Sequence, residues 1–244
     1  SVAVEAADGG EIVWWRRETA SLFIDRGAPE PRRIDAGGDA CADAGHTLFH
    51  TDAGAGIACA SCHPEGGDDG HVWQFDDALR RTPSLRGGLI GAAPYHWEGD
   101  LPDFGALVEE VFEHRMGGPS LPADWRDAFL GWLDTLAEPE ADLGLDAAAV
   151  ARGEQVFNDE TVGCTECHAG ALLSDRKAHD VGTGGPFITP RLAGLGLRGP
   201  YLHDGCAPTL ADRFTACGGG EEHGRTAHLS ADQRADLIAW LRAR

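Results

Sequence analysis

The chain has 244 residues, 42% of them hydrophobic, with 34 glycines, 13 prolines and a formal net charge of −20 at pH 7. That length suffices for one large or two small folded units, and the glycine and proline content predicts many turns and long loops. The acidity argues against nucleic acid or an anionic membrane surface, and for a soluble protein with a basic or neutral partner. No apolar run approaches the ~20 residues needed to cross a bilayer. No charged-then-apolar leader opens the chain, so an export signal is expected to have been removed or to belong to a longer precursor.

In chain order, residues 1–36 stand apart. Glu11–Trp15 and Ser21–Asp25 read as short β segments, with Gly9-Gly10 before them and Pro29 and Pro31 after, and carry no chemical motif. From about residue 40 the pattern is helical. Phe104, Leu107, Val108, Val111 and Phe112 form one apolar stripe between Asp103 and Met116, ended by Gly117-Gly118-Pro119. A second helix is expected to bury Trp125, Phe129, Trp132, Leu133 and Leu136 before Pro139. The last helix opens at Ser230, with Gln233 completing a capping box and Leu237, Ile238 and Leu241 turned inward.

The chain also repeats itself. Gly45-His-Thr-Leu-Phe49 is echoed by Gly153-Glu-Gln-Val-Phe157. Thr82-Pro-Ser-Leu-Arg-Gly87 matches Thr189-Pro-Arg-Leu-Ala-Gly194, and Pro94-Tyr-His-Trp-Glu-Gly99 matches Pro200-Tyr-Leu-His-Asp-Gly205. A Cys-x-x-Cys-His motif lies inside each copy, at Cys59/Cys62/His63 and Cys164/Cys167/His168. The offsets are 105 at these histidines, 107 at the Thr-Pro pairs and 106 at the Pro-Tyr pairs. Residues 137–147, with Glu138-Pro139-Glu140, read as the linker. The division expected is an extension over 1–36, a first haem domain over 37–140 and a second over 141–244.

Cys-x-x-Cys-His is the attachment signature of c-type haem. Two thiols add across the vinyl groups and the adjacent histidine becomes the proximal iron ligand. The competing readings are a redox dithiol, which would sit in a βαβ context, and half a zinc site, which would need partners near each pair. Neither context is visible, so two covalently bound haems c are expected, with His63 and His168 as proximal ligands. Covalent attachment normally takes place on the exported side of a membrane, which places the protein in the periplasm or outside the cell. Cys41, Cys206 and Cys217 remain, and two of them could pair in an oxidising compartment.

The far side of each iron decides function, since a held sixth ligand makes an electron carrier and an open position permits chemistry. For the first haem, His71 in the loop Gly66-Gly-Asp-Asp-Gly-His71-Val-Trp73 could ligate, act as a distal base, or be a surface histidine. Met116 is the only methionine and ends a helix, where packing is its expected role. For the second haem, Cys217, His223 and His228 are the candidates, in a glycine-rich stretch whose backbone could approach a porphyrin closely. His179 is expected to be structural.

The order of motifs from Gly45 onward resembles the bacterial di-haem cytochrome c peroxidase family, including its MauG-type members that oxidise residues of a partner protein. The resemblance rests on Cys59-Ala-Ser-Cys62-His63-Pro, Arg81-Thr-Pro-Ser-Leu85-Arg, Tyr95-His-Trp97-Glu-Gly99, Cys164-Thr-Glu-Cys167-His168, Asp180-Val-Gly-Thr183-Gly and Pro200-Tyr-Leu-His203-Asp-Gly205. It implies an all-α fold of two tandem cytochrome c-type haem domains, here with a short N-terminal β extension. It implies peroxide chemistry at the first haem and electron transfer at the second, with Trp97 bridging them. The donor or acceptor would be a small cytochrome, a cupredoxin or a protein substrate. Family members use a carboxylate near the first haem to move protons. Here Arg115 stands in its usual place, with Glu113 on another helical face. Beyond the Tyr-x-His-Asp-Gly element, where the family has methionine or tyrosine, this chain has Cys217. The alternatives are a di-haem electron carrier without peroxidase activity, and the cytochrome module of a larger protein.

Overall fold

The computed structural model describes residues 2–7, 11–16, 19–37, 43–76, 78–139 and 143–244. The readings of Gly9-Gly10, Cys41 and Glu140 fall outside these residues. The N-terminal segment is a four-stranded antiparallel meander: β1 (Val2–Ala7), β2 (Glu11–Arg16), β3 (Ser21–Asp25) and β4 (Arg32–Asp35), in that order. Trp14 lies directly across from Phe23 in the β2–β3 register, and their rings stack at 5.4 Å. Aromatic cross-strand pairs of this kind stabilise an antiparallel ribbon.

The expectation of an all-α chain is overturned. Helix makes up 34% and strand 15%, with the strands in three small sheets, so the fold is mixed α/β. The two further sheets are hairpins, β5 (Val72–Phe75) with β6 (Ala78–Arg81), and β7 (Ala178–Asp180) with β8 (Pro186–Ile188). Both lie in stretches after the Cys-x-x-Cys-His motifs, where no helical stripe exists and glycines break the chain. Nor does the structure set two tandem haem domains apart, because backbone and buried polar contacts run across the two repeat copies.

The repeated Gly-x-x-x-Phe element has a packing cause. Asp43 caps α1 (Ala44–His50), and Asp146 caps α4 (Ala147–Phe157), each through its side chain. A Cβ on Gly45 would lie 2.4 Å from Trp132 Cβ on α3 (Ala123–Asp134), and one on Gly153 would lie 2.0 Å from the Asp236 carbonyl on α5 (Ala231–Arg242). Each glycine therefore permits a close helix crossing. The phenylalanine one turn on fills the space beneath it: Phe49 and Phe157 are buried, against Trp132 at 5.0 Å and Trp240 at 4.1 Å. Two apolar clusters result, one around Phe49, Val108, Phe112 and Leu133 and one around Phe157, Val162, Leu237 and Trp240.

The helix expected over Asp103–Met116 begins as α2 (Phe104–Leu107) and continues as a π-helix over Val108–Arg115. Its wider turn suits the spacing of four that separates the buried residues Phe104, Val108, Phe112 and Met116. In α3, Phe129, Trp132 and Leu133 are buried as expected, but Trp125 in the first turn is 48% exposed, beyond the edge of the core. Ser230 and Gln233 form the capping box of α5.

The copies meet across a polar seam with matched contacts. The Arg81 N–H donates to the His203 carbonyl and the Ile188 N–H to the Trp97 carbonyl, both at 2.7 Å. These donors end the two hairpins, and these acceptors occupy the same position of the repeated Pro-Tyr element. The residue before each acceptor, His96 or Leu202, has a left-handed φ of 67° or 72°, an uncommon conformation outside glycine. Buried Arg81 donates to Asp68 at 2.6 Å and to the Arg198 carbonyl at 2.8 Å, while Arg191 reaches the Gly88 carbonyl at 2.6 Å.

Candidate haem centres

Each Cys-x-x-Cys-His segment is one tight turn. Cys59–Ser61 and Cys164–Glu166 are 3₁₀ turns, and His63 and His168 donate their backbone N–H groups to the carbonyls of Cys59 and Cys164 at 3.0 and 2.9 Å. This winding puts both thiols and the histidine of each motif in one place. Burial pushes the Cys59 thiol up to about 11 and raises Cys164 as well. A working redox dithiol requires the opposite shift, so the environment disfavours that reading and suits sulfurs bound in an apolar pocket.

The histidine rings are oriented by their own backbones. His63 Nδ1 pairs with the Gly67 carbonyl at 3.2 Å, and His168 Nδ1 with the Leu173 carbonyl at 2.9 Å. A carbonyl accepts, so Nδ1 carries the proton and Nε2 is left as the ligand atom. Burial lowers both imidazoles, which keeps them neutral as ligation requires.

The two sites then diverge. The His223 ring lies 6.4 Å from that of His168, with planes 28° apart. Two imidazoles sharing one metal at about 2 Å would place their centroids about 6 Å apart. His223 Nδ1 is engaged by the Gly218 carbonyl at 3.2 Å, again leaving Nε2. Burial first, then Arg213 and His168, push its pKa down to about 3. Cys217 is removed from the ligand candidates because it forms a disulfide with Cys206, and a disulfide sulfur has no thiolate to offer. His228 is exposed.

None of the sequence candidates is brought against His63. His71 is exposed and its ring packs edge-on against Trp73 at 4.4 Å. Glu113 accepts the Leu121 backbone N–H at 3.1 Å. Arg115 is exposed, donates to Glu110 at 2.9 Å and lies over Phe75 at 5.9 Å. The three candidates thus have structural partners of their own. Trp97 is half-buried at the seam, its Nε1 donating to the Arg81 carbonyl at 2.8 Å and its ring 6.3 Å from His203. His179 pairs with Asp175 at 2.8 Å. With Cys167 these form a group of possible ligand atoms within 4.8 Å, but its sulfur belongs to the attachment pair.

Sequence reasoning missed the buried arginines. In a chain of net charge −20, Arg81, Arg176, Arg198, Arg213 and Arg234 each keep a buried guanidinium nitrogen with no protein hydrogen-bond partner, although Arg81 is also paired with Asp68 through another nitrogen. Burial lowers Arg213 to about 10, and it lies close enough to Cys164, His168 and His223 to shift each of them. Unsatisfied buried cations are costly unless an anion meets them, and the propionates of haem are such anions. Thiols gathered in one turn, neutral imidazoles oriented by backbone carbonyls and unpartnered guanidinium nitrogens together fit haem. The signal available in sequence was only that Arg81 and Arg191 sit at the repeated Thr-Pro elements.

No family model matches the chain. It is 29% identical over 255 residues to hydrazine synthase subunit gamma of Kuenenia stuttgartiensis, across 76% of this chain and 71% of that protein. Its fold matches a chain of the Kuenenia stuttgartiensis hydrazine synthase structure solved under xenon with a TM-score of 0.71 at 25% identity, covering 82% of this chain and 86% of that one. It matches a MauG-like protein associated with microbial copper homeostasis with a TM-score of 0.64 at 19% identity, over 82% and 86% of the two chains. The chain therefore has the fold that this MauG-like protein and the hydrazine synthase chain share.

Proposed function

We propose that this chain is a periplasmic or extracellular di-haem c-type oxidoreductase whose two haems do different work. The observation that carries this reading is the asymmetry between the motifs: the His223 ring lies 6.4 Å from that of His168, a separation that fits two imidazoles on one metal, and among the described residues no aromatic ring pairs with His63. Haem iron supplies one-electron chemistry, and a free coordination position lets a small molecule react there.

The protein's own residues divide the labour. Cys164 and Cys167 would attach the second haem, and His168 and His223 would ligate its iron, each with Nδ1 engaged by a carbonyl. Two protein ligands would exclude other molecules, which suits electron transfer. Cys59, Cys62 and His63 would hold the first haem, whose iron would supply peroxide chemistry. Arg81, Arg176, Arg198 and Arg213 meet the carboxylates of both groups. Trp97, with its indole N–H engaged at the seam, conducts electrons between the sites. A small cytochrome, a cupredoxin or a partner protein supplies those electrons. Glu113 and Arg115 are given no proton-transfer role, because their polar atoms are engaged elsewhere.

Exported placement is supported by the attachment motifs and by the disulfide. Among the described residues, no helix is long and apolar enough to cross a membrane. The likeness to hydrazine synthase subunit gamma favours a second reading, in which the chain is one subunit of a multi-subunit enzyme acting on a small nitrogen compound at the first haem. EPR and optical spectra of the oxidised and half-reduced protein test the main proposal. One low-spin and one high-spin haem, with turnover of peroxide, are expected. Two low-spin haems in every state and no turnover would make the protein a carrier. A high-spin haem that turns over a nitrogen compound but not peroxide would favour the second reading.

A further inference from the structure

We infer that the Cys206–Cys217 disulfide is the positioning device that holds His223 over the second haem. The inference rests on the proposed ligation by His223 and deepens it. The segment carrying His223 has no regular helix or strand beyond short 3₁₀ turns. It runs through the turns Ala216–Gly218 and Gly220–His223 with three consecutive glycines, of which Gly219 and Gly220 have φ of +82° and +57°. Glycine retains the most backbone freedom to lose on ordering, so an imidazole on such a loop is poorly placed unless its ends are fixed.

Both ends are fixed. After His223, the Arg225 N–H donates to the Val162 carbonyl at 2.9 Å, just before the second attachment motif. Before it, the disulfide at Cys217 adjoins Gly218, whose carbonyl is the acceptor that orients His223 Nδ1. The other half of the bridge is on firm ground. The Cys206 N–H is held by Asp204 at 3.1 Å, and Tyr201 donates its N–H to the carbonyl of buried Ala207 at 2.8 Å. That turn belongs to the repeated Pro-Tyr element at the seam, where Gly205 packs against Val72 of the other copy. The packing around the bridge leaves no slack: a Cβ on Gly218 would lie 1.7 Å from the Arg213 carbonyl, and one on Gly219 would lie 1.9 Å from that of Val181. The disulfide thus links the ligand loop directly to the seam.

The test compares EPR spectra of the oxidised holoprotein with those of His223→Ala and of the double variant Cys206→Ser/Cys217→Ser. The double variant is expected to lose most of the low-spin signal of the second haem, to regain it on addition of imidazole, and to keep the first-haem signal unchanged. Full retention of the low-spin signal without imidazole, alongside its loss in His223→Ala, overturns the inference and leaves the ligation reading standing. A double variant that imidazole cannot restore also overturns it, since the bridge would then hold the fold rather than the ligand. Retention of the low-spin signal in His223→Ala overturns the ligation reading and the inference with it.

Discussion

The two repeat copies share one Cys-x-x-Cys-His turn and differ in the segment that follows the Pro-Tyr element. In the first, the stretch after the Pro-Tyr element runs through α2 into the π-helix, and Met116 at its end is buried in the apolar cluster. In the second, the corresponding stretch breaks into short 3₁₀ turns over Asp212–Phe214, Ala216–Gly218 and Gly220–His223, delivering an imidazole instead. His223 lies 107 residues after Met116, the same offset as the repeated Thr-Pro pairs. The Cys-x-x-Cys-His turns are alike in the two copies while the later segments differ, one forming helix and core and the other a glycine-rich loop that carries His223. Under the proposed function, the motif marks where a haem would be held and the segment after the Pro-Tyr element sets what it would do.

Several substitutions would break or sharpen this comparison. The largest effect is expected at the seam. Arg81→Met leaves Asp68 buried without its cation, where removing one partner of a buried pair costs about 3–5 kcal/mol. Chemical denaturation should show a loss of that order, and a change below about 1 kcal/mol would mean the copies are held together elsewhere. Next come the paired glycines. Gly153→Ala sets a methyl group 2.0 Å from a backbone carbonyl, and Gly45→Ala sets one 2.4 Å from Trp132 Cβ. Each should lower stability by about 1–3 kcal/mol through overpacking. Gly153→Ala should cost more, because a backbone carbonyl has less room to move, and the reverse order would show that the two crossings are not equivalent.

Smaller still is the acid response at Asp175. Hydrogen bonds from His179, Lys177 N–H and Thr189 outweigh desolvation and hold its carboxyl down at about 2. A lowered carboxyl contributes stability above its ordinary value of 3.8, and loses it as pH falls towards about 2. Asp175→Asn should therefore be less stable than the parent at neutral pH, by under about 1 kcal/mol for a group this accessible. The difference should vanish on acidification, and one that persisted below pH 2 would assign the effect to lost packing. The smallest change is expected from Arg115→Ala, an exposed side chain paired with exposed Glu110, where solvent screens the pair and little stability should be lost. A large loss of peroxide turnover in that variant would return Arg115 to the active site.

Much of this arrangement was legible in the chain. Cys-x-x-Cys-His is a local signal, so both tight turns that gather two thiols and a histidine could be located from spacing. The repeat was visible because Gly45/Gly153 and Phe49/Phe157 solve the same packing problem twice. The β segments at Glu11 and Ser21 are rich in β-branched and aromatic residues, and each forms a strand. The hairpins at Val72 and Ala178 were missed because strands of three or four residues carry too few alternations to register. Trp125 was misplaced because helical periodicity says which face a residue shares, not where the core ends. The distal candidates fared unevenly for a related reason. His71 was singled out by its glycine-rich loop and Glu113 and Arg115 by position in a family pattern, and their orientation depends on partners such as Trp73, Leu121 N–H and Glu110 that neither encodes. The orphaned arginines were beyond reach, since exposure cannot be read from an isolated arginine in an acidic chain.

Carbon monoxide binding to the fully reduced protein tests the central claim most directly, because it counts iron positions that no protein ligand closes. One carbon monoxide per chain is predicted, bound at the haem of Cys59, Cys62 and His63, with the haem between His168 and His223 silent. None would close both sites and two would open both, and either result would contradict the division of labour between the copies.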